Sequence, residues 1–195
     1  KNLSRALNIP RLLMKRDDLT GLELSGNKIR KLEYILPDVQ AEAADTIVTN
    51  GGVQSNHCRA TAAVAARLGL RAHLVLRATE KDPPVDGNLF LDRLFGAQVT
   101  LLPAEEYNAR RFEHIEAVMD AEREAGRKPY YIPVGASIPL GCWGYIRCVH
   151  ELIEQLGRDT PVDIFCATSS CGTHVGLMLG VALLGCRNWR VLGVM

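Results

Sequence analysis

Apolar residues along this chain follow two alternating periods. Short aliphatic or β-branched runs at 45–50, 71–77, 97–102, 130–133, 162–167 and 191–194 read as strands. Between them, apolar residues recur every three or four positions. Ile29, Leu32 and Leu36 follow Lys28 in a helix that fades near Pro37 or Ala44. An alanine-rich helix covers 61–68, and a loop from Pro83 enters a helix that ends near Phe95. Further helices cover 109–125, with Phe112, Ile115 and Met119 on one face, then 140–156 and 172–184. Strand and helix in succession at this spacing predict βαβ units, right-handed crossovers and a parallel sheet. Residues 12–16 read as one more short strand, 17–21 as the turn after it, and 3–7 as the tail of a helix. No internal repeat, low-complexity tract or linker interrupts the pattern. Asp82-Pro83-Pro84 is a loop and not a boundary.

Composition narrows the field. A chain of 195 residues allows one large domain or two small ones, and 47% hydrophobic with 23% charged residues is globular, not disordered. A net charge of +1 gives no bulk attraction to nucleic acid or an anionic membrane. No apolar run approaches the roughly 18–20 residues of a membrane span; the longest, 175–186, is interrupted by Gly176, Gly180 and Gly185. Six cysteines form no CxxC pair, no zinc-spaced Cys/His cluster and no disulfide framework. No metal is expected, and reduced thiols in the cytoplasm are. The chain opens without Met, shows no signal peptide and stops inside an apparent strand, so both ends read as cut. Organellar import is left open on that ground.

Three stretches could carry chemistry, all at strand-to-helix turns. Ser25-Gly26-Asn27-Lys28 is turn chemistry running into a helix. A cation in the first helical turn is disfavoured by the macrodipole, and Arg30 and Lys31 add like charge. Both effects would lower the Lys28 pKa and favour an amine nucleophile for carbonyl chemistry; an ordinary solvated lysine is the plain alternative. Gly51-Gly52-Val53-Gln54-Ser55-Asn56-His57 ends a buried strand and opens a helix. It is either an anion cradle or a simple cap by Ser55 or Asn56. Thr168-Ser169-Ser170-Cys171-Gly172-Thr173 offers hydroxyls and helix-start amides suited to a phosphate monoester, or is a capped turn. It is neither a Walker A loop nor a GxGxxG fingerprint, which disfavours a nicotinamide dehydrogenase. Cys171 is either a thiol activated at a helix start or an inert one. Residues 134–141 line a cleft or merely connect. Asp17 or Asp18 either pairs with a nearby cation or stays solvated. A primed lysine and a phosphate cradle in one α/β chain together imply pyridoxal 5′-phosphate.

Longer motifs sharpen this reading. Lys15-Arg16-Asp17-Asp18, Leu24-Ser25-Gly26-Asn27-Lys28-Ile29-Arg30-Lys31-Leu32-Glu33, Gly51-Gly52-Val53-Gln54-Ser55-Asn56-His57-Cys58-Arg59-Ala60-Thr61, Pro133-Val134-Gly135-Ala136-Ser137 and Leu140-Gly141-Cys142-Trp143-Gly144-Tyr145 closely resemble the 1-aminocyclopropane-1-carboxylate deaminase/D-cysteine desulfhydrase family of fold-type II pyridoxal-phosphate enzymes. The 20–25 lead-in looks most like plant-type desulfhydrases, and His57 fits that branch, where deaminases tend to carry Gln. The resemblance implies a tryptophan synthase β-like α/β fold in three layers. It implies a small open domain at 40–145, and parts of an incomplete larger cofactor domain at 1–39 and 146–195. It implies that Lys28 is the Schiff-base lysine and the base that takes the substrate α-proton. Asn56 would bond the cofactor's ring hydroxyl. Ser55, with Asn56 and His57, would receive the carboxylate of a small amino-acid substrate, and Ser170, Cys171, Gly172 and Thr173 would surround the phosphate. The implied reaction is α,β-elimination of D-cysteine in a homodimer; cyclopropane-carboxylate deamination is the alternative within the family, and a non-catalytic binder of the cofactor or an amino acid the alternative outside it. Two departures stand out. The phosphate loop holds fewer glycines than the family's, with Cys171 before Gly172, and the family continues well beyond residue 195, where its ring-facing tyrosine and the partner of the pyridine nitrogen lie.

Overall fold

The computed structural model describes residues 2–9, 11–21 and 26–195; the 22–25 part of the desulfhydrase-like lead-in, with Ser25 of the first turn, lies outside the described residues. After a short α1 (Asn2–Ala6), the chain runs α2 (Asn27–Ala41), β1 (Thr46–Gly52), α3 (Asn56–Leu68), β2 (Arg71–Ala78), α4 (Gly87–Leu94), β3 (Gln98–Pro103), α5 (Ala104–Glu124), β4 (Pro129–Ile132), α6 (Pro139–Leu156), β5 (Val162–Ala167), α7 (Gly172–Leu183) and β6 (Trp189–Val194). Strands β1 to β4 form one sheet in the order β3-β2-β1-β4, and β5 pairs with β6; every pairing is parallel. β1 is buried from Thr46 through Gly51, as expected of a central parallel strand covered on both faces.

The strand order places the site. From β1 the chain steps outward through β2 to β3, then returns over α5 to pair β4 on the other side of β1. The direction of winding therefore reverses between β1 and β4, and the crevice beyond their carboxyl ends is the position where open α/β sheets take ligands. Two stretches singled out in the sequence, the turn after β1 and residues 134–141 after β4, both leave the sheet there.

Local departures from expectation have physical reasons. Residues 12–16 form no strand: the segment is irregular, with Met14 77% exposed, and no sheet edge among the described residues pairs with it. α2 runs through Pro37, which lies on the exposed face, while Ile35 and Val39 on the opposite face are fully buried and hold the helix together. α5 begins five residues earlier than the pattern suggested and breaks its helical dihedrals at Arg110, next to the expected start. Ile115 and Met119 enter the core, but Phe112 stays exposed beneath the Arg111 guanidinium, 4.5 Å from its ring centre.

Helices α2, α6 and α7 meet through glycines. A Cβ on Gly144 of α6 would overlap the Arg30 carbonyl oxygen of α2. A Cβ on Gly176 of α7 would come within 2.6 Å of Tyr145 Cβ, and one on Gly180 within 2.7 Å of Val149 Cγ2. These helices therefore touch almost backbone to backbone, which leaves little freedom in the spacing between the start of α2 and the start of α7.

Candidate active site

Lys28 occupies the first turn of α2, behind Gly26. The opening helical position was legible from the Gly-Asn corner. Its pKa is lowered, but the cause is burial of the amine and not the flanking cations. Arg30 points elsewhere: its Nε donates to Asp17 Oδ1 at 2.9 Å, and its two terminal nitrogens donate to Glu151 at 2.8 and 2.9 Å. Tyr145 also donates to Asp17, at 2.6 Å, and Lys15 pairs with Glu151 at 2.8 Å. Asp17 thus meets the neighbouring cation Arg30, whereas Asp18 pairs with Arg16 on the surface. Hydrogen bonds from Arg30 and Lys15 take the Glu151 carboxyl down to about 2, so this clamp on the first turns of α2 is charged throughout the neutral range.

Lys31 is a candidate site residue that the sequence pattern alone did not single out. It is 1% exposed. Its Nζ donates to the Gly135 carbonyl at 3.1 Å and to Ser137 Oγ at 3.3 Å, both on the loop after β4. Burial, then repulsion from Lys28, lowers its pKa to about 8. The signal was present in the sequence: Lys31 lies three residues after Lys28 and four before Ile35, on the helix face that also carries the core residues Leu32 and Val39.

Residues 53–57 form the second wall. Ser55 caps α3, its Oγ accepting from the Cys58 amide at 3.2 Å, while the Arg59 amide bonds the Ser55 carbonyl. The Asn56 and His57 amides are left at the head of the helix. The Asn56 side chain is exposed and accepts from Asn88 Nδ2 at 3.0 Å. His57 is buried. Thr49 Oγ1 gives its proton to the Ile132 carbonyl at 2.6 Å, so it must accept from His57 Nε2 at 2.8 Å. That fixes the proton on Nε2 and leaves Nδ1 as a buried lone pair without a partner among the described residues. Burial, then the Lys28 and Lys31 charges, lowers the ring pKa to about 3, so His57 is neutral.

The third wall is the start of α7. Ser170 Oγ accepts from Ser137 Oγ at 2.8 Å, which joins this loop to the one after β4. A Cβ on Gly172 would lie 2.8 Å from Lys31 Nζ, so the buried amine rests against the helix start. Thr173 Oγ1 accepts from Asn27 Nδ2 at 3.1 Å, tying α7 to the residue before Lys28. Cys171 takes the left-handed conformation, φ 63°, that favours glycine, with its thiol exposed. Cys171 therefore keeps a backbone conformation that a glycine would adopt without strain.

The structure brings Lys28, His57, Ser170, Cys171, Gly172 and Thr173 around Lys31 and Ser137, while Ser55 and Asn56 head α3 next to His57, with the Asn56 side chain turned to α4. All six cysteines are free. No helix among the described residues is long and apolar enough to cross a membrane.

An open parallel sheet with helix starts and hydroxyl-bearing turns gathered at its switch point belongs to the α/β proteins that take small ligands there. The family model for pyridoxal-phosphate dependent enzymes matches residues 1–195, and the chain belongs to that family, whose members work with pyridoxal phosphate. Over 188 residues it is 46% identical to the mitochondrial bifunctional D-cysteine desulfhydrase/1-aminocyclopropane-1-carboxylate deaminase of Arabidopsis thaliana, covering 92% of this chain and 47% of the relative. Over 197 residues it is 42% identical to a putative 1-aminocyclopropane-1-carboxylate deaminase of Pyrococcus abyssi, covering 98% and 57%. The crystal structure of an ACC deaminase homologue superposes with a TM-score of 0.86 at 37% identity, over 98% of this chain and 57% of that one. The fold is the fold-type II arrangement, and the chain spans about half the length of the curated relatives it matches.

Proposed function

We propose that this chain supplies the lysine, the substrate loop and the phosphate loop of a pyridoxal-phosphate lyase that converts D-cysteine and water to pyruvate, hydrogen sulfide and ammonia. The observation that carries the reading is the pair of lysines one turn apart on α2. The Lys31 amine rests against Ser137 and Gly172, while the Lys28 charge is felt at His57. The donor set suits the cofactor. A buried ammonium, the Ser137 and Ser170 hydroxyls and the α7 amides suit a phosphate dianion, and the space a Cβ would fill at Gly172 lets backbone and amine approach it together. Bound there, the cofactor would withdraw electrons from the substrate α-carbon.

The chain's own groups then have distinct tasks. Lys28 holds the cofactor and, with its pKa lowered by burial, accepts the α-proton at Nζ. Lys31 neutralises the phosphate, a role added to those of Ser170, Cys171, Gly172 and Thr173. Ser55 Oγ, the Asn56 side chain and the amides heading α3 receive the substrate carboxylate, and Asn56 also serves the ring hydroxyl. The His57 contribution to the carboxylate comes from its backbone amide, because the ring's one proton is spent on Thr49.

In the full-length protein, Lys28→Ala should abolish the cofactor band that borohydride fixes to the chain; a band that survives defeats the assignment. The names of the relatives support a second reading, deamination of the cyclopropane substrate. Ketobutyrate as product, in place of pyruvate with sulfide, identifies that case. Cofactor binding without either turnover identifies a non-catalytic binder. A homodimer belongs to the same proposal, as does a cytoplasmic or organellar setting, the latter supported by six free thiols and a mitochondrial relative. So does the domain division: the four-stranded sheet lies wholly within 40–145, although Leu32, Ile35 and Val39 of α2 share its core and α6 runs unbroken across 145/146.

A further inference from the structure

A polar clasp joins α4 to the substrate loop, and its hydrogen-bond directions are forced by backbone atoms. Asn88 Nδ2 donates to the Gln54 carbonyl at 2.8 Å. A carbonyl can only accept, so the end of the Asn88 amide facing the loop is its NH2 group. The same nitrogen reaches Asn56 at 3.0 Å, so the Asn56 atom facing it is the oxygen. On the other side, the Asn88 backbone amide donates to Gln54 Oε1 at 2.8 Å, which turns Gln54 Nε2 to Asp86 Oδ1 at 3.0 Å. Gly87 completes the seat: it sits at φ 49°, and a Cβ there would overlap the Gln54 side chain.

From this geometry we infer that Asn88 is a positioning residue that sets which end of the Asn56 amide the ligand meets. With its oxygen held by Asn88, Asn56 turns its NH2 group away from Asn88, as a donor. A donor is what an ionised ring oxygen or a carboxylate requires, and the opposite flip would set oxygen against oxygen. The inference rests on the proposed contact between Asn56 and the cofactor.

The test compares Asn88→Asp, Asn88→Ala and Asn56→Ala in the full-length protein. The measurements are the pyridoxal-phosphate dissociation constant, the pH midpoint of the cofactor's visible band and the melting temperature. The Asn88→Asp carboxylate faces two acceptors and favours the wrong flip. Losing a hydrogen bond to a charged group should weaken cofactor binding by about 10- to 100-fold. The band midpoint should shift, which a loss of stability alone would not do, and affinity should partly recover at acid pH, where the carboxyl regains a proton to donate. Asn88→Ala only frees the amide, so it should move the same quantities less, and it keeps the test decisive if the Asp variant folds poorly. If both Asn88 variants match the parent while Asn56→Ala changes affinity and band, Asn88 does not position Asn56 and the inference fails. If Asn56→Ala also matches the parent, the contact itself is wrong and both readings fall.

Discussion

Lys31 carries a charge that the fold tolerates poorly until an anion arrives, and the magnitude can be worked. Its amine has an ordinary pKa of 10.5 and a folded value of about 8, mainly through burial. Below pH 8 the amine is charged in both states, and folding bears the full difference of roughly 3 kcal/mol at about 1.4 kcal/mol per pKa unit. Between pH 8 and 10.5 the unfolded chain binds more protons than the folded one, so stability rises with pH. Above 10.5 the amine is neutral in both states and the difference vanishes. Lys31→Met keeps a chain of similar length and removes the charge. Chemical denaturation of the cofactor-free parent and variant at pH 7, 8, 9 and 10 follows the effect of Lys31 together with its coupling to Lys28, because titrating groups that do not feel the Lys31 charge cancel in the difference. Parent stability relative to the variant should rise by roughly 2–3 kcal/mol from pH 7 to pH 10, with little change below pH 7.5. Saturating inorganic phosphate should flatten the rise by pairing the ammonium in the folded state and returning its pKa toward the ordinary value. Parallel stability curves for the two proteins would refute a buried, depressed amine, and a rise that phosphate leaves intact would separate Lys31 from the anion site.

Two other substitutions probe the frame around that site. Cys171→Gly relieves a left-handed non-glycine residue and should raise stability by about 1 kcal/mol or less, after the added freedom of the unfolded chain is subtracted; a lower denaturation midpoint would contradict it. Gly144→Ala should destabilise by about 1–3 kcal/mol despite the better helix propensity of alanine, because its Cβ meets the Arg30 carbonyl. It should also weaken cofactor binding by displacing α2, and a variant that melts like the parent with unchanged affinity would show that the two helices can part freely.

The order of strands and helices could be read from periodicity because nearly every element buries an apolar face. The misreadings arose where a tertiary partner decides the outcome. Residues 12–16 have strand composition but no sheet edge to join among the described residues. Phe112 has core chemistry yet lies under Arg111 on the outside. At the site, Lys28 was legible because a cation is unusual at the start of a helix, and the two turns because their glycines and small polar residues mark helix starts. Lys31 was not, since a lysine inside a helix is ordinarily solvated, and only its place on the core face marks it. The Asn88 clasp was hidden because its partners lie more than thirty residues away, at Gln54 and Asn56. The direction of the His57 proton depends on Thr49 and Ile132 together, a relation that no local pattern contains.

The place of β4 has a consequence for the order of assembly. Its pairing with β1 joins Thr46 to Pro129, whereas the β1–β2 and β2–β3 pairings each span only about 25 residues. Closing the longer loop costs more chain entropy, and β4 is only four residues long, with β1 as its one strand neighbour among the described residues. The loop that meets Lys31 hangs from this strand. Three strands of the sheet can therefore pair before the crevice exists. A ligand that bridges Lys31, Ser137 and the start of α7 would act as a late fastener, holding shut the most remote contact in the sheet.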